Sequence, residues 1–556
     1  MPPFFSNVNV GQRLAATACD NPEGVAVAAA LPRRGAGPRK YQVRTFAELD
    51  QDSNLLAEGL QAHGARRGMR LVLLVKPGVD FISLVFAMFK AGVVTVLIDP
   101  GMGRSHLIRC LEEAEPEGFV AISPVQAVRT LLRHRFPKAR LNVTVGRRWF
   151  WGGPTLAGLR KRTPGAFQAA ATKANDEAAI IFTTGSTGPP KGVLFHHGVF
   201  DRQADEIRDF YGIAPGEIDL SGFPLFALFN CAMGVTTVVP EMDFTRPADV
   251  DPRNILAAAR DWKCTQAFGS PALWNSVGRY CQEHDEHLPD LKRVLTAGAP
   301  APPHVLRRVK QIMPPDGEMH TPYGATESLP VASISASEVL GETAAQTEQG
   351  AGTCVGRRFP GIDWKVIRIR DEPIPQIDQI EELPAGQIGE IVVTGPVVTR
   401  RYVTRTEANA EHKIQDGDRV WHRIGDLGYF DEQERFWFCG RKAHRVITAE
   451  GTLYTVCCEA IFNNHPSIYR SALVGVGPRP NQRPVMICEP LPEHRPATEP
   501  ARQQLIAELQ ALGSANPLTA GIHEVLLHDS MPVDIRHNAK IFREKLAVWA
   551  AKVIQK

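Results

Sequence analysis

The chain has 556 residues, of which 44% are hydrophobic, so it can bury a large core but is too long to form a single one. Its 63 lysines and arginines are nearly balanced by 60 acidic residues, so the net charge does not favour a nucleic acid or an anionic membrane as partner. We therefore expect two or more globular domains whose binding sites are defined locally.

The first residues, MPPFFSNVNVGQRL, lack the basic, apolar and small-residue segments of a secretory signal, so we expect a cytoplasmic protein. The ten cysteines are scattered, and only Cys457 and Cys458 are adjacent. No CxxC pair or Cys/His cluster with zinc spacing occurs, which predicts free thiols rather than a metal centre.

Apolar strands alternate with amphipathic helices in the first half of the chain. The segment Thr45 to Gly64 has a helical pattern with a candidate capping box, Thr45 followed by Glu48, and RLVLLV (Arg70 to Val75) is typical of a buried strand. Such alternation predicts an α/β fold with largely parallel sheets.

One apolar stretch, Phe81 to Ile98, approaches the length of a membrane span and contains a single charge, Lys90. Gly92 is a typical helix stop, and the β-branched run VVTVLI after it favours a buried strand. We therefore predict a helix followed by a strand and no transmembrane segment.

The segment from Leu131 to Gly153 mixes basic and aromatic residues, a pattern also found in nucleic-acid-binding proteins. A solvated face or a contact with an acyl partner explains it better, and we expect no nucleic-acid binding.

The stretch IIFTTGSTGPPKGVLFHH, from Ile180 to His197, places a polar loop between two apolar runs. Glycines let backbone N–H groups approach an anion closely, while hydroxyls and a lysine add donors, so the composition predicts a polyphosphate site. The lysine precedes a glycine, and Pro189 with Pro190 blocks a helix, so this is not a Walker loop. A polar hairpin tip is the alternative. The loop residues are Thr183, Thr184, Gly185, Ser186, Thr187, Gly188, Lys191 and Gly192.

From Gly386 onwards, short strand patterns are separated by Gly and Asp turns, which predicts a β-rich part. About a hundred residues beyond Arg441 carry their own helix and strand signals, enough for a small domain. We place the boundary near Gly440, giving a large domain of packed α/β subdomains plus a β-rich subdomain (residues 1–440) and a small α+β domain (residues 441–556).

The loop TTGSTGPPKG closely resembles the signature loop of the adenylate-forming superfamily, which includes acyl-CoA synthetases, adenylation domains and luciferases. Further segments match the family in the same order across nearly the whole chain. They are TAGAP (Thr296 to Pro300), TPYGATE (Thr321 to Glu327), HRIGDLGYFDE (His422 to Glu432), FCGRK (Phe438 to Lys442) and RHNAKI (Arg536 to Ile541).

The resemblance implies that ATP and Mg²⁺ bind and that a carboxylate is joined to the α-phosphate, with release of pyrophosphate. Glu327 and Thr184 would contact Mg²⁺, and Thr326 would bond the α-phosphate. The other implied ATP contacts are the loop residues from Thr183 to Lys191 named above, Gly298, Ala299 and Pro300 at the purine, Tyr323 stacked on adenine, Gly324 beside it, Asp426 on both ribose hydroxyls, and Arg441 on ribose and phosphate.

Lys540 corresponds to the family's catalytic lysine, which is carried on a small mobile C-terminal domain and reaches into the cleft. The surrounding run MPVDIRHNAKI is two residues longer than the usual family pattern.

Several departures from the thiol-using members point to a different second half-reaction. Ala443 and His444 stand at the usual hinge, and Ala227 replaces a common aromatic or histidine gate. These features resemble the β-lactone synthetases of bacterial long-chain olefin biosynthesis. That resemblance implies a long-chain 2-alkyl-3-hydroxy acid substrate whose own hydroxyl attacks the activated carbonyl, and partner enzymes of the olefin pathway in a complex.

Three histidines are candidates for accepting the hydroxyl proton: His197, which matches a common family histidine, His444 at the hinge, and His537 beside Lys540. Two other functions stay open from the residues alone. The chain could be a long-chain acyl-CoA or acyl-carrier ligase, or a non-catalytic nucleotide-binding protein.

Overall fold

The computed structural model describes residues 8–33, 37–161, 167–183, 189–533 and 541–555. The elements of the first part are α1 (Gln12–Asp20), β1 (Val25–Ala30), β2 (Tyr41–Thr45), α2 (Phe46–Ala62), β3 (Arg70–Leu74), α3 (Val79–Lys90), β4 (Val94–Leu97), α4 (Arg104–Glu113), β5 (Gly118–Ile122), α5 (Ser123–Leu131), β6 (Leu141–Val145), α6 (Leu156–Leu159), β7 (Glu177–Phe182), β8 (Gly192–His196) and α7 (His197–Tyr211).

The middle part contains β9 (Ile218–Ser221), α8 (Phe226–Met233), β10 (Thr236–Val239), α9 (Pro252–Asp261), β11 (Gln266–Gly269), α10 (Pro271–His284), β12 (Arg293–Thr296), α11 (Pro303–Ile312), β13 (Glu318–Ala325), β14 (Ser328–Ser335), α12 (Ala336–Glu338), α13 (Ala344–Glu348), β15 (Thr353–Cys354), β16 (Arg357–Arg358), β17 (Asp363–Ile367), β18 (Gly389–Thr394), α14 (Ala408–His412), β19 (Lys413–Asp416), β20 (Arg419–Phe430) and β21 (Phe436–Arg441). The last part contains β22 (Val446–Thr448), β23 (Gly451–Leu453), α15 (Thr455–Asn463), β24 (Ile468–Val476), β25 (Arg483–Pro490), α16 (Glu499–Ser514), β26 (Glu524–Leu527) and α17 (Arg543–Ile554).

Two large sheets contain the strands β1 to β14 and β16. The first has the order β6-β5-β3-β4-β7-β8 and is parallel except for β8. The second has the order β16-β14-β13-β12-β11-β9-β10-β1-β2, with a parallel centre from β1 through β13. The central strands are strongly buried because helices cover the sheets, and the predicted α/β fold class is confirmed.

The local predictions in the first half are also confirmed. Thr45 caps α2 through a capping box: the amide of Glu48 donates to Thr45 Oγ1 at 3.2 Å, and the Glu48 carboxylate accepts from the Thr45 amide at 3.0 Å. Gly92 has a φ of +70° and separates α3 from β4. Lys90 is buried, and its charge is compensated there because its Nζ donates to Asp50, Ser53 and Asn54 of α2.

The β-rich sheet has the order β15-β21-β20-β18-β17, with β19 added on β20. The sequence predicted this part only from Gly386 onwards, and that start is wrong because β15 and β17 lie upstream. A two-residue strand such as Thr353–Cys354 has no periodicity that a sequence pattern could reveal.

Beyond β21 the strands form a pair, β22-β23, and a three-stranded sheet, β24-β25-β26. This part contacts the preceding one through Lys442, whose Nζ lies 3.2 Å from Oε2 of Glu390, and through Arg445, whose Nη2 lies 2.6 Å from Oδ2 of Asp371. The boundary near Gly440 stays a prediction.

Within the described ranges, no helix combines the length and apolarity that crossing a bilayer requires. All ten cysteines are free, and all but Cys19 are buried. In the basic and aromatic segment, Trp149 and Phe150 are exposed, whereas Trp151 is buried and its Nε1 donates to Thr144 at 2.8 Å.

Candidate active site

Three of the motif segments, those that follow β7, β12 and β13, lie at the carboxyl ends of parallel strands, where α/β sheets bind ligands. Thr183 follows β7 and Lys191 precedes β8. The amide of Thr183 donates to the carbonyl of Lys191, and the amide of Lys191 donates to Thr183 Oγ1, both at 3.0 Å. These two bonds fix the ends of the predicted phosphate loop. Its other predicted members, Thr184, Gly185, Ser186, Thr187 and Gly188, lie outside the described residues.

Thr326 and Glu327 form the two-residue turn of the β13-β14 hairpin, because Ala325 pairs with Ser328. Gly324 is required at its position, since a Cβ there would lie 2.4 Å from the carbonyl oxygen of Ser328. The turn projects Glu327 as a largely buried carboxylate at the end of the second sheet.

A second group of predicted residues, Tyr323, Asp426 and Arg441, meets at the junction with the β-rich sheet. The Tyr323 hydroxyl donates to Oδ2 of Asp426 at 2.6 Å. Asp426 and Arg441 face each other across β20 and β21, with Arg441 Nη1 at 3.0 Å from Oδ1 of Asp426. That Nη1 hydrogen-bonds the carbonyl of Ile424 at 3.1 Å instead, so Oδ1 accepts no aligned hydrogen bond from a described residue.

Asp426 is therefore a buried carboxylate with a spare acceptor. Burial raises its pKa, and the charge of Arg441 and the Tyr323 hydrogen bond act in the opposite direction. An acceptor that is buried without a donor costs free energy, which a ligand hydroxyl would recover. The geometry fits a ligand that brings hydroxyl donors.

Gly298, Ala299 and Pro300 follow the carboxyl end of β12, in the same sheet as Tyr323. Gly298 has a φ of +96°, a conformation that side chains disfavour, so the sharp turn after the strand requires glycine there.

Lys191 contacts a residue that the sequence did not single out, His412. Its Nζ lies 3.0 Å from Nε2 of His412, and since lysine has no acceptor, this nitrogen of His412 must accept. Nδ1 then carries the proton and donates to the carbonyl of Arg423 at 3.2 Å. Burial, and secondly the charge of Lys191, lower the pKa of His412 to about 4, which keeps it a neutral acceptor.

Tyr402 joins Lys191 to Glu327. Its hydroxyl donates to Oε1 of Glu327 at 2.6 Å, and its ring lies 5.2 Å from the Nζ of Lys191 and 5.5 Å from that of Lys413. Lys413 is buried, which lowers its pKa to about 7. The signal that could have revealed this group is the segment EHKIQDGDRVWHR, which places His412 at the end of α14 and Lys413 opposite His422 on the paired strands β19 and β20.

The two groups belong to one electrostatic environment. Burial lowers the pKa of Lys191, the carboxylate of Glu327 acts in the opposite direction, and the charge of Arg441 lowers it further. The pKa of Arg441 is raised by Asp426 first and also by Glu327.

Two of the three candidate proton acceptors, His197 and His444, belong to the described residues. His197 is fully buried at the start of α7, where its Nδ1 accepts from the Val10 amide at 3.3 Å and its ring packs on Phe89. Burial lowers its pKa to about 4, and this position favours a structural role. His444 lies 3.3 Å from Glu544 of α17. His537 and Lys540 lie outside the described residues, between Val533 and Ile541, which form an antiparallel bridge.

Among the described residues, no group of three or more His, Cys, Asp or Glu side chains is arranged to hold a metal ion. Magnesium at nucleotide sites commonly uses only one or two carboxylates together with the phosphates. Glu327 alone could serve in that way, since Oε1 is held by Tyr402 and Oε2 has no hydrogen bond with a described residue.

Residues 15–403 match the family of AMP-binding enzymes, and the chain belongs to this family. It is therefore an AMP-forming ligase, and the resemblance inferred from the motifs is confirmed.

Two relatives align over almost their whole length. The chain is 46% identical to the olefin beta-lactone synthetase of Xanthomonas campestris, covering 98% of each protein, and 45% identical to the olefin beta-lactone synthetase of Stenotrophomonas maltophilia, covering 99% of each. It also has the fold of the O-succinylbenzoate coenzyme A synthetase of Bacillus subtilis in complex with ATP and magnesium, with a TM-score of 0.73, 20% identity and coverage of 96% of this chain and 99% of that one.

The spare acceptor on Asp426 predicts how the nucleotide is held. Asp426→Asn should weaken AMP binding about 10- to 100-fold, because hydrogen bonds to a charged group are worth about 1.5–3 kcal/mol. Tyr323→Phe, which keeps the ring, should cost less than about tenfold. Calorimetric titration with AMP without metal measures both.

The pH dependence follows from the raised pKa of Asp426. As pH falls through that pKa, the carboxylate gains a proton and loses acceptor capacity, so AMP affinity should fall at a higher pH than for an ordinary aspartate. Asp426→Asn should remove this dependence. Equal AMP affinity of the variant and the unchanged protein would contradict the assignment.

Proposed function

We propose that this enzyme converts a long-chain 2-alkyl-3-hydroxy acid and ATP into a β-lactone, AMP and pyrophosphate. The observation that carries the proposal is the 45–46% identity, over almost the full length, to relatives named olefin beta-lactone synthetase. Partner enzymes of the same olefin pathway are part of the proposal.

In the first half-reaction, a carboxylate oxygen of the acid attacks the α-phosphorus of ATP, and the bond to the β-phosphate breaks. Asp426 would accept the ribose hydroxyls, Tyr323 would stack on the adenine, and the backbone of residues 298–300 would pass along the purine. Lys191, Thr326 and Arg441 would stabilise the phosphate charges, a task that suits donors already held in place by the protein. Lys540 would complete this set at the α-phosphate.

Glu327 would hold Mg²⁺, with Thr184 beside it. When bound, the ion would neutralise part of the phosphate charge and orient the leaving pyrophosphate. The fit rests on Glu327, whose carboxylate is buried at the end of the hairpin and has one oxygen free of hydrogen bonds to described residues.

In the second half-reaction, the 3-hydroxyl oxygen attacks the activated carbonyl carbon, the bond to AMP breaks, and the hydroxyl proton passes to a base. The nucleophile is tethered to the acyl group, so no second substrate has to be bound and oriented. Ring strain opposes closure, and cleavage of the phosphoanhydride drives it.

A narrow apolar crevice lies beside Ala227; it is too narrow in this structure to admit a water molecule, so an alkyl chain would have to widen it. It lies at the carboxyl ends of β3, β9 and β10, between the two large sheets, and Ala227 forms part of its wall. A larger side chain at position 227 would fill it. The lining residues are Pro77, Gly78, Phe81, Ile82, Ser221, Pro224, Ala227 and Val239.

A long-chain acyl-CoA or acyl-carrier ligase is the second candidate, because it would use the same ATP contacts. The two functions differ only in the acceptor of the acyl group, so the acceptor decides between them.

The deciding assay omits every thiol. Purified protein with ATP, Mg²⁺ and a long-chain 3-hydroxy acid should release AMP in multiple turnovers without coenzyme A, and the product should show the carbonyl stretch of a strained lactone. The same acid without the 3-hydroxyl is the control and should give at most one AMP per enzyme. Strict dependence on a thiol would establish the ligase instead.

The crevice at Ala227 predicts chain-length selectivity. Ala227→Phe should lower the activation of long-chain acids by about tenfold or more while short acids are activated as before, since each buried methylene contributes about 0.8 kcal/mol and two lost methylene sites cost about tenfold. Acid-dependent pyrophosphate exchange over a series of chain lengths measures this.

The short acids serve as the internal control for folding. An equal loss for short and long acids would indicate overpacking of the core, and an unchanged profile would show that the crevice does not hold the chain; either result rules out this subsite.

A further inference from the structure

Tyr402 is a buried residue that contacts Glu327 and that the proposed reaction does not yet use. It lies on a segment that pairs with β8 through a bridge to Val193, so it belongs structurally to the phosphate-loop hairpin. Its backbone is held on both sides by Asn409: the amide of Tyr402 donates to Oδ1 at 2.8 Å, and Nδ2 donates to the carbonyl at 3.1 Å.

The ring of Tyr402 is also held in place, by contacts with two lysines. The ammonium groups of Lys191 and Lys413 lie 5.2 and 5.5 Å from its centroid, within the range of cation–π attraction. Lys413 is anchored in turn, because its Nζ donates to the carbonyl of Thr399 at 2.6 Å. The hydroxyl therefore has a single position from which to donate.

Glu327 is held from two directions by this arrangement. Its backbone carbonyl accepts from the amide and from Oγ1 of Thr399, at 2.8 and 3.0 Å. Its Oε1 accepts from Tyr402 at 2.6 Å, a short charge-assisted bond. A glutamate otherwise loses considerable rotamer freedom when it binds a metal. Here the side chain is already ordered before a ligand binds, so less conformational entropy is lost on binding.

The direction of this bond has a chemical consequence. With Oε1 committed to Tyr402, only Oε2 remains to face a ligand, which suits monodentate coordination in the near-octahedral geometry of Mg²⁺. Partners that orient a metal ligand typically contribute 10- to 100-fold in metal affinity or activity.

We propose that Tyr402 is a positioning residue that orients the Glu327 carboxylate for the metal–nucleotide complex. The inference rests on the proposed role of Glu327. Tyr402 contacts the β7-β8 hairpin through Val193, the β13-β14 hairpin through Glu327, and the buried Lys413.

The test compares ATP binding with and without metal in Tyr402→Phe, which keeps the ring and its contacts with both lysines. Calorimetric titrations with ATP in excess Mg²⁺ and in excess chelator, without any acid, give two affinities. The affinity for ATP in Mg²⁺ divided by the affinity for metal-free ATP should fall about tenfold in the variant, while the affinity for metal-free ATP itself stays within about twofold.

Tyr211→Phe is the matched control. Tyr211 is also buried, and its hydroxyl donates to Ser333 at 2.9 Å, away from Glu327. It should leave the ratio unchanged. An equal loss of both affinities in Tyr402→Phe would indicate a purely structural role, and an unchanged ratio would show that the hydroxyl does not orient the carboxylate; each outcome overturns the proposal.

A double variant separates this inference from the proposed reaction. In Glu327→Gln, the further change Tyr402→Phe should have no additional effect on the ratio, because the two act through one contact. If Glu327→Gln itself leaves the ratio unchanged, Glu327 is not the metal ligand and the inference fails. None of these binding measurements depends on lactone formation, so their outcome is the same whether or not the ring-closing reaction occurs.

Discussion

A carboxylate and a triphosphate repel each other, and the site must neutralise that repulsion before the acid can attack the α-phosphate. A single electrostatic environment contains two cations, Lys191 and Arg441, and one carboxylate, Glu327. Glu327 and Arg441 both change the pKa of Lys191, and Glu327 also raises that of Arg441. Lys191 is kept available by a neutral acceptor, His412, rather than by a carboxylate that would compete for its charge.

The same requirement explains why the site lies where the sheets meet. Lys191 comes from the first sheet, Tyr323 and Glu327 from the second and its hairpin, and Asp426 with Arg441 from the β-rich sheet. The hydrogen bond from Tyr323 to Asp426 and that from Tyr402 to Glu327 connect these parts. A nucleotide bound across them would contact all three sheets.

The sequence predicted those features that depend on short-range patterns. The strands on both sides of the phosphate loop, the capping box at Thr45 and the division at Gly92 all follow from local residue chemistry. The family motifs added Asp426 and Arg441, which the structure brings together across two strands. The roles of the individual site residues remain predictions.

What the sequence could not predict depends on contacts between distant segments. Tyr402 is 75 positions from Glu327, and His412 is 221 positions from Lys191, so no spacing rule connects them. Lysine is normally exposed in a strand, and the burial of Lys413 is made possible by its hydrogen bond to the carbonyl of Thr399 and by its position over the Tyr402 ring. The β-rich sheet begins earlier than predicted, and its first strand, β15, has only two residues and is too short to show a period.

The central claim is that the acid, and not its hydroxyl, is joined to AMP before the ring closes. An acid labelled with oxygen-18 in both carboxylate oxygens tests it directly by mass spectrometry of the two products. We predict that AMP acquires one labelled oxygen and that the lactone keeps the other in its carbonyl group. Unlabelled AMP together with a lactone that retains both labels would mean that the hydroxyl had been activated, and would contradict the account.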